Sequence, residues 1–261
     1  MRRIDYHTHT IFSPDASSHP EEHIKQAIKE GLDEICFTDH NDFGVSGGEW
    51  ELDADEYFKV LLPLKEKYKD QIKVKIGVEI GLDMKTKHLA EKLTANYPFD
   101  FVIGSIHSID MIDIALDNYF VGKSKHDAHL AYFNAMKECV REFDCFDVLG
   151  HLDYVRRYGP YENKDVEYEK YQDIIDEVYR TLIQKGKGIE INLSGFKQFD
   201  EGLPNYNQVK RYYDLGGRIL TMGTDSHIYS DVARNLDKAF KMYGDIGFED
   251  VSTFTQRIRD K

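Results

Sequence analysis

Cysteine is scarce in this sequence. Cys36, Cys139 and Cys145 are the three present, and none forms a C-x-x-C pair. An odd number in a chain of 261 residues does not suit a disulfide framework. Long apolar runs are also missing. No stretch is long enough for a signal peptide or a membrane span, so the cytoplasm is the expected compartment and no membrane partner is expected. Positive charge is in short supply: 34 Lys and Arg against 47 Asp and Glu give a formal net charge of -13. A compact acidic protein without a basic stripe repels nucleic-acid backbones, so no nucleic-acid partner is expected. An anionic substrate would then need local positive charge, which metal ions can supply. Neither G-x-G-x-x-G nor G-x-x-x-x-G-K-[ST] occurs, and Gly44 to Gly48 lacks the strand-turn-helix setting, so it reads as a flexible loop. The loops Phe43 to Glu51 and Gly159 to Asp165 each follow an apolar run and are candidates to line a site. Cys36 falls inside an apolar run and reads as inert packing, not as a nucleophile.

What is present is a regular alternation. Short apolar runs lie at Arg3 to Tyr6, Glu34 to Thr38, Ile72 to Ile80, Phe101 to Ile106, Phe146 to Gly150, Gly188 to Leu193 and Arg218 to Gly223. They carry Ile, Val, Phe and Leu with little Pro, as strands buried on both faces do. Helical patterns separate them: His19 to Glu30, Asp53 to Tyr68 (with Pro63 as a local conflict), Lys85 to Ala95, Lys123 to Phe143, Val166 to Lys185, Asn205 to Leu215, Asp231 to Met242 and Glu249 to Ile258. The alternation predicts an α/β fold with a mainly parallel sheet. Seven repeats without a linker suit one closed or nearly closed barrel over residues 1–261 better than a two-domain open sheet. The seventeen tyrosines and fifteen phenylalanines suffice for a pocket as well as a core, and leave room for a monomer or a homodimer.

The metal-binding residue types fall at the C-terminal ends of these predicted strands. His7 and His9 leave the first, with Asp15 in the following loop. Asp39 and His40 end the second, Glu79 the third and His107 the fourth. His151 and Asp153 follow the fifth, Glu190 and Asn192 lie on the sixth, and Asp225 and His227 follow the seventh. In a parallel α/β protein those ends share one face, where active sites are built. His-x-His at a strand end places two imidazoles on one side, because side chains alternate with a period of two. Carboxylates bridge ions through their two oxygens, and mixed imidazole and carboxylate donors suit zinc, manganese or iron. One histidine near a strand end is ordinary; recurrence at successive ends is not explained that way. His19, His23, His88, His126 and His129 fall on predicted helices or their starts and read as surface or packing residues. The run Asp53 to Glu56 reads as a solvated helix start.

Several segments together resemble one family. DYHTHTIFSPDA (Asp5 to Ala16), FTDHN (Phe37 to Asn41), GVEIG (Gly77 to Gly81), GSIHS (Gly104 to Ser108), LGHLDYVRRY (Leu149 to Tyr158), INLSG (Ile191 to Gly195) and GTDSH (Gly223 to His227) occur in the order found in the PHP superfamily of metal-dependent phosphoesterases. Within that superfamily the chain is most similar to the monofunctional histidinol-phosphatases. The resemblance implies a distorted seven-stranded (β/α)7 barrel and three divalent metal ions. It implies one site from His7, His9, Glu79 and Asp225, a second from Glu79, His107 and His151, and a third from Asp15, His40 and His227.

The expected reaction is hydrolysis of a small phosphate ester, L-histidinol phosphate in the first place. A hydroxide shared by two ions would attack phosphorus, and the ions would neutralise charge on the phosphoryl oxygens. Asp225 or His227 is an expected aid to the leaving alkoxide. At least one of Arg156 and Arg157 is expected to bind phosphate, with nothing in the sequence to choose between them, and Lys197, Ser13 and Ser17 are further candidates. Asp42 and Asp153 are candidates for a substrate amine, and Tyr158 and Phe196 for stacking on a ring. Alternatives at this stage are another small phosphate ester, a nucleotide or a nucleic-acid end on the same machinery, an amidohydrolase-like enzyme, and a non-catalytic metal-binding module.

Overall fold

Seven strands form the wall of a barrel in the computed structural model, which describes residues 1–261 apart from the side chain of Asp117. They are β1 (Ile4–Asp5), β2 (Glu34–Phe37), β3 (Lys73–Gly81), β4 (Phe101–Ser105), β5 (Val148–Leu149), β6 (Gly188–Asn192) and β7 (Leu220–Gly223). Each pairs in parallel with the next. A short strand at His40–Asn41 also joins β3, opposite Glu79 and Ile80. The last strand meets the first. The Tyr6 N–H donates to the Met222 carbonyl at 3.0 Å and the Asp225 N–H to the His7 carbonyl at 2.8 Å. Thr8 bridges Ser226 in parallel. The result is the nearly closed seven-stranded parallel barrel expected from the sequence. Eight residues of the nine in β3 are buried, as a parallel strand covered on both faces requires.

Helices α1 (Pro20–Lys29), α2 (Ala54–Tyr68), α3 (Lys87–Asn96), α4 (Lys125–Glu142), α5 (Val155–Tyr158), α6 (Gln172–Gln184), α7 (Tyr206–Asp214) and α8 (Leu236–Tyr243) fill the connections. Their starts follow local chemistry. Pro20 opens α1 behind a capping box made by His19 and Glu22. Ser124 and Asn205 accept the orphan N–H groups of Asp127 and Gln208 at the heads of α4 and α7. Pro63 sits inside α2 without ending it. Two expected helices begin late: α6 at Gln172, after a short 3-10 turn at Tyr168–Lys170, and α8 at Leu236.

The expected helix from Glu249 to Ile258 is not formed. Val251, Phe254 and Ile258 have helical spacing, but the backbone bonds elsewhere: the Ser252 N–H donates to the Leu220 carbonyl at 2.7 Å. A small antiparallel hairpin follows, Phe254–Thr255 with Ile258–Arg259, turning through positive φ at Gln256 and Arg257. It closes the barrel at the N-terminal ends of the strands. The Phe254 ring lies 5.0 Å from that of Phe101, and the Arg257 N–H donates to the Asp100 carbonyl at 2.9 Å. The opposite end is left to the side chains described next. No helix of the described residues is long and apolar enough to cross a membrane.

Candidate metal centre

Two glycines let the strands deliver their side chains closely. A Cβ on Gly223 would stand 2.2 Å from the His7 Cβ, and one on Gly81 would stand 1.8 Å from Asp42 Oδ1. Past Gly223 the chain turns through Asp225 at φ 54°, a left-handed conformation that Asp tolerates better than most residues. That turn aims the Asp225 carboxylate at the end of β1.

Glu79, at the end of β3, is fully buried at the centre. Its two oxygens face different groups. Oε2 lies 3.1 Å from His7 Nε2, 3.5 Å from His9 Nε2 and 3.1 Å from His40 Nδ1. Oε1 lies 2.9 Å from His151 Nε2 and 3.3 Å from His107 Nε2, and accepts from Ser105 Oγ at 2.6 Å. Asp225 Oδ1 stands 3.4 Å from His9 Nε2 and 3.8 Å from His7 Nε2. At the outer rim His227 Nε2 is 2.9 Å and His40 Nε2 3.8 Å from Asp15 Oδ2. The His9 ring stacks against those of His40 and His227, with centroids 4.1 and 4.4 Å away. All nine sequence-predicted ligands thus converge on one end of the barrel.

The donor set fits cations. His7 Nε2, His9 Nε2, His40 Nδ1 and Glu79 Oε2 are buried without a hydrogen-bond partner. Buried polar groups are rarely left so, because each unsatisfied one costs about 1–3 kcal/mol. Several groups of three have ligand atoms within 4.8 Å of one another, among them His7, His9 and Asp225; His7, Glu79 and His151; and His9, His40 and His227. Such overlapping groups make a multinuclear metal-binding site.

The electrostatics agree. Burial pushes the Glu79 and Asp225 carboxyls upward, yet the surrounding imidazoles, with Arg157 beside Asp225, hold both well below the usual range. Burial lowers His7, but Glu190, Glu79 and Asp225 outweigh it and raise its pKa well above the usual value. His9 goes the other way: burial and then the neighbouring His40 and His227 depress it. An acidic, imidazole-lined centre of this kind gains most from divalent charge.

The two adjacent arginines separate. Arg157 lines the cavity of about 230 Å³ above the cluster. Its Nη1 and Nη2 each lie 3.2 Å from Asp225 Oδ2, and Nη2 also meets Asn192 Oδ1 at 3.2 Å and the Ser194 hydroxyl. Arg156 is turned away, which removes it as a phosphate candidate and leaves Arg157 as the arginine of the pair that points into the cavity. Its guanidinium bonds Asp153 at 3.2 Å, Glu201 at 3.0 Å and Asp165 at 3.0 Å, and lies over the Phe199 ring.

The remaining substrate candidates divide in the same way. Lys197 pairs with Asp231 at 2.9 Å and does not line the cavity. Ser13 is committed inward, donating to Asp39 Oδ1 at 2.7 Å and lying 3.2 Å from His9 Nδ1. Ser17 is exposed outside the cavity. Asp153 and Phe196 are buried elsewhere, whereas Asp42 and Tyr158 do line it. Val45 and Trp50, on the loop Phe43 to Glu51 expected to line a site, complete the wall with Asp113, Ala115 and Tyr154, whereas the second such loop, Gly159 to Asp165, does not reach it. The expected flexible loop that carries Val45 and Trp50 is a 3-10 turn tied at its base, where the Asp42 N–H donates to the Trp50 carbonyl at 2.8 Å. The position of this loop after a strand end was the signal that could bring its lone tryptophan to the site. His23 and His129 are packing residues, fully buried, as expected.

Residues 5–194 match the model of the PHP domain. The chain is 37% identical to the histidinol-phosphatase of Lactococcus lactis over 267 residues, covering 100% of this chain and 97% of that protein. It is 36% identical over 243 residues to a Clostridium acetobutylicum protein named "Probable histidinol-phosphatase", with 92% of each covered. The crystal structure of the Lactococcus lactis histidinol phosphate phosphatase, complexed with zinc, L-histidinol and phosphate, superposes with a TM-score of 0.93 at 36% identity, over 100% of this chain and 99% of that one. With barrel, ordered motifs and convergent ligands in agreement, this chain belongs to the PHP family of metal-dependent phosphoesterases.

Proposed function

We propose that this protein hydrolyses L-histidinol phosphate to L-histidinol and phosphate. The observation that carries the reading is the full-length likeness to a histidinol phosphate phosphatase, barrel and mouth together. In this reading His7, His9, Glu79 and Asp225 hold one divalent ion, Glu79, His107 and His151 a second, and Asp15, His40 and His227 a third. Zinc, manganese and iron all suit these donors. When bound, such ions lower the pKa of water towards neutrality and draw charge from phosphoryl oxygens.

The chain's own residues do the rest. Arg157 stands at the rim with two terminal nitrogens, a fork that grips two oxygens of one phosphate. Asn192, Ser194 and Arg157 occupy Asp225 Oδ2, which leaves Oδ1 turned to the histidines. Glu79 serves both histidine groups with separate oxygens. On the outer side, Asp42 and Asp113 offer carboxylates to a protonated amine, and Trp50, Tyr154 and Tyr158 offer aromatic faces to an imidazole. A simple sugar phosphate has neither the amine nor the planar ring that these groups would meet.

The test is phosphate release from L-histidinol phosphate with defined metals. Release that chelation abolishes, that zinc or manganese restores, and that the folded Asp225→Asn variant lacks would support the reading. No release by metal-loaded protein would end it.

A further inference from the structure

Glu190 is a buried acid at this end of the barrel that neither lines the cavity nor belongs to the cation clusters, and it is 1% exposed. Three donors converge on it from three parts of the chain. Its Oε1 lies 2.6 Å from His7 Nδ1, at the end of β1. Its Oε2 accepts from the His151 backbone N–H at 3.0 Å, after β5, and from Asn192 Nδ2 at 3.3 Å, on β6. The other ring nitrogen of His7, Nε2, carries no hydrogen bond and faces Glu79 and Asp225.

We propose that Glu190 is a positioning residue for metal binding: it holds the proton of His7 on Nδ1 and so keeps the Nε2 lone pair free for a cation. An imidazole has two nitrogens, and the hydrogen bond made by one decides what the other can do. A carboxylate behind the ring fixes both its tautomer and its orientation and makes it a more basic ligand. The other ligands have different backing. Asp42 stands 2.9 Å from His107 Nδ1 but also lines the cavity. His9 Nδ1 has only the Ser13 hydroxyl at 3.2 Å, and His227 Nδ1 has the Asp225 carbonyl at 3.0 Å. Glu190 is therefore the place where support of a ligand can be separated from contact with substrate.

The arrangement demands a carboxylate, not merely a residue of its shape. Glutamine keeps the size but has one acceptor oxygen. If that oxygen faces His7, the amide NH2 meets the His151 N–H, donor against donor. If it faces His151, the NH2 points at His7 Nδ1 and favours the tautomer with its proton on Nε2, which blocks the ligating nitrogen. A role as simple filler would tolerate this substitution; the proposed role does not.

The inference rests on the cluster being a cation site and not on which ester is cleaved. The test is therefore zinc binding by the full chain. Zinc affinity is measured by competition with a chelator for metal-stripped parent and Glu190→Gln proteins, with circular dichroism and melting of the metal-free forms as the control of fold. The expected result is a folded variant whose zinc affinity falls roughly 10–100-fold. A folded variant with parental affinity overturns the proposal. If the variant does not fold, nitrogen-15 NMR of the zinc-loaded parent decides. A proton on His7 Nδ1, shifted far downfield by the carboxylate, is the expected signature, and its absence overturns the proposal.

Discussion

Arg157 and Asp225 meet at the rim of the cavity, with both terminal nitrogens of the guanidinium 3.2 Å from Asp225 Oδ2. The contact joins the cation facing the cavity to a carboxylate of the metal centre. Burial lowers the arginine's pKa and the Asp225 charge more than restores it, so Arg157 stays charged. The pair also orients the carboxylate, because Oδ2 is taken and Oδ1 is left to His9 and His7. Arg157→Met should fold, retain metal, and lose roughly 100-fold or more in kcat/KM, the range for removing one donor to a developing phosphoryl charge. Steady-state kinetics beside metal analysis check this. Parental kcat/KM would remove Arg157 from the account.

Its neighbour should behave in the opposite way. Arg156 is buried among Asp153, Asp165 and Glu201. Removing one partner of a buried ion pair costs about 3–5 kcal/mol, because uncompensated charge remains. Arg156→Met should lower stability by about that much in denaturant unfolding, while the folded fraction keeps most of its turnover. A stable but inactive variant would mean that Arg156 acts at the site.

This divergence marks a limit of the sequence. Arg156 and Arg157 are adjacent on α5, and one residue on a helix is a turn of about 100°, so one faces the cavity and the other the interior. Nothing in the residue types chooses between them. The convergent cluster was legible because imidazoles and carboxylates recur at strand ends, and the barrel was legible because its strands are apolar runs between helical patterns. The last segment was misread because Val251, Phe254 and Ile258 imitate a helical face while the backbone pairs with β7. The loop Phe43 to Glu51 was legible as a candidate wall, but which side chains, Trp50 and Asp113 among them, turn inward was hidden for a different reason. They lie on loops whose path over the mouth is set by tertiary contacts and not by any local pattern.

Metal removal should weaken the fold as well as the activity. Ions that bind only the native cluster stabilise it by mass action, about 2.7 kcal/mol at one hundred times Kd. Stripping with chelator should lower Tm by roughly 5–10 °C, and adding metal back should restore it. Calorimetry with and without metal checks this. A metal-independent Tm would contradict a multinuclear site at the heart of the barrel.

His129 gives the molecule an acid sensitivity unrelated to metal. It lies on α4 with neither ring nitrogen hydrogen-bonded, and burial first, then Lys125, lowers its pKa from 6.5 to about 4. Its folded pKa is below the unfolded one, so the unfolded chain binds the proton first. The stability it preserves is complete above pH 6.5 and is lost as pH falls towards 4. The loss is on the order of 3 kcal/mol for this group. His129→Phe should flatten metal-free stability over that window, measured by denaturant melts at several pH values. An unchanged slope would show that other groups carry the acid sensitivity.

The most direct test of the central claim is kcat/KM of the metal-loaded enzyme for L-histidinol phosphate beside sugar phosphates, nucleotides, a phosphorylated amino alcohol without the imidazole, and short 5′-phosphorylated DNA. The account predicts that L-histidinol phosphate leads every other ester by at least roughly 100-fold, because only it uses both the carboxylates and the aromatic faces of the cavity. Comparable values across the panel, or a clear preference for another ester, would contradict it.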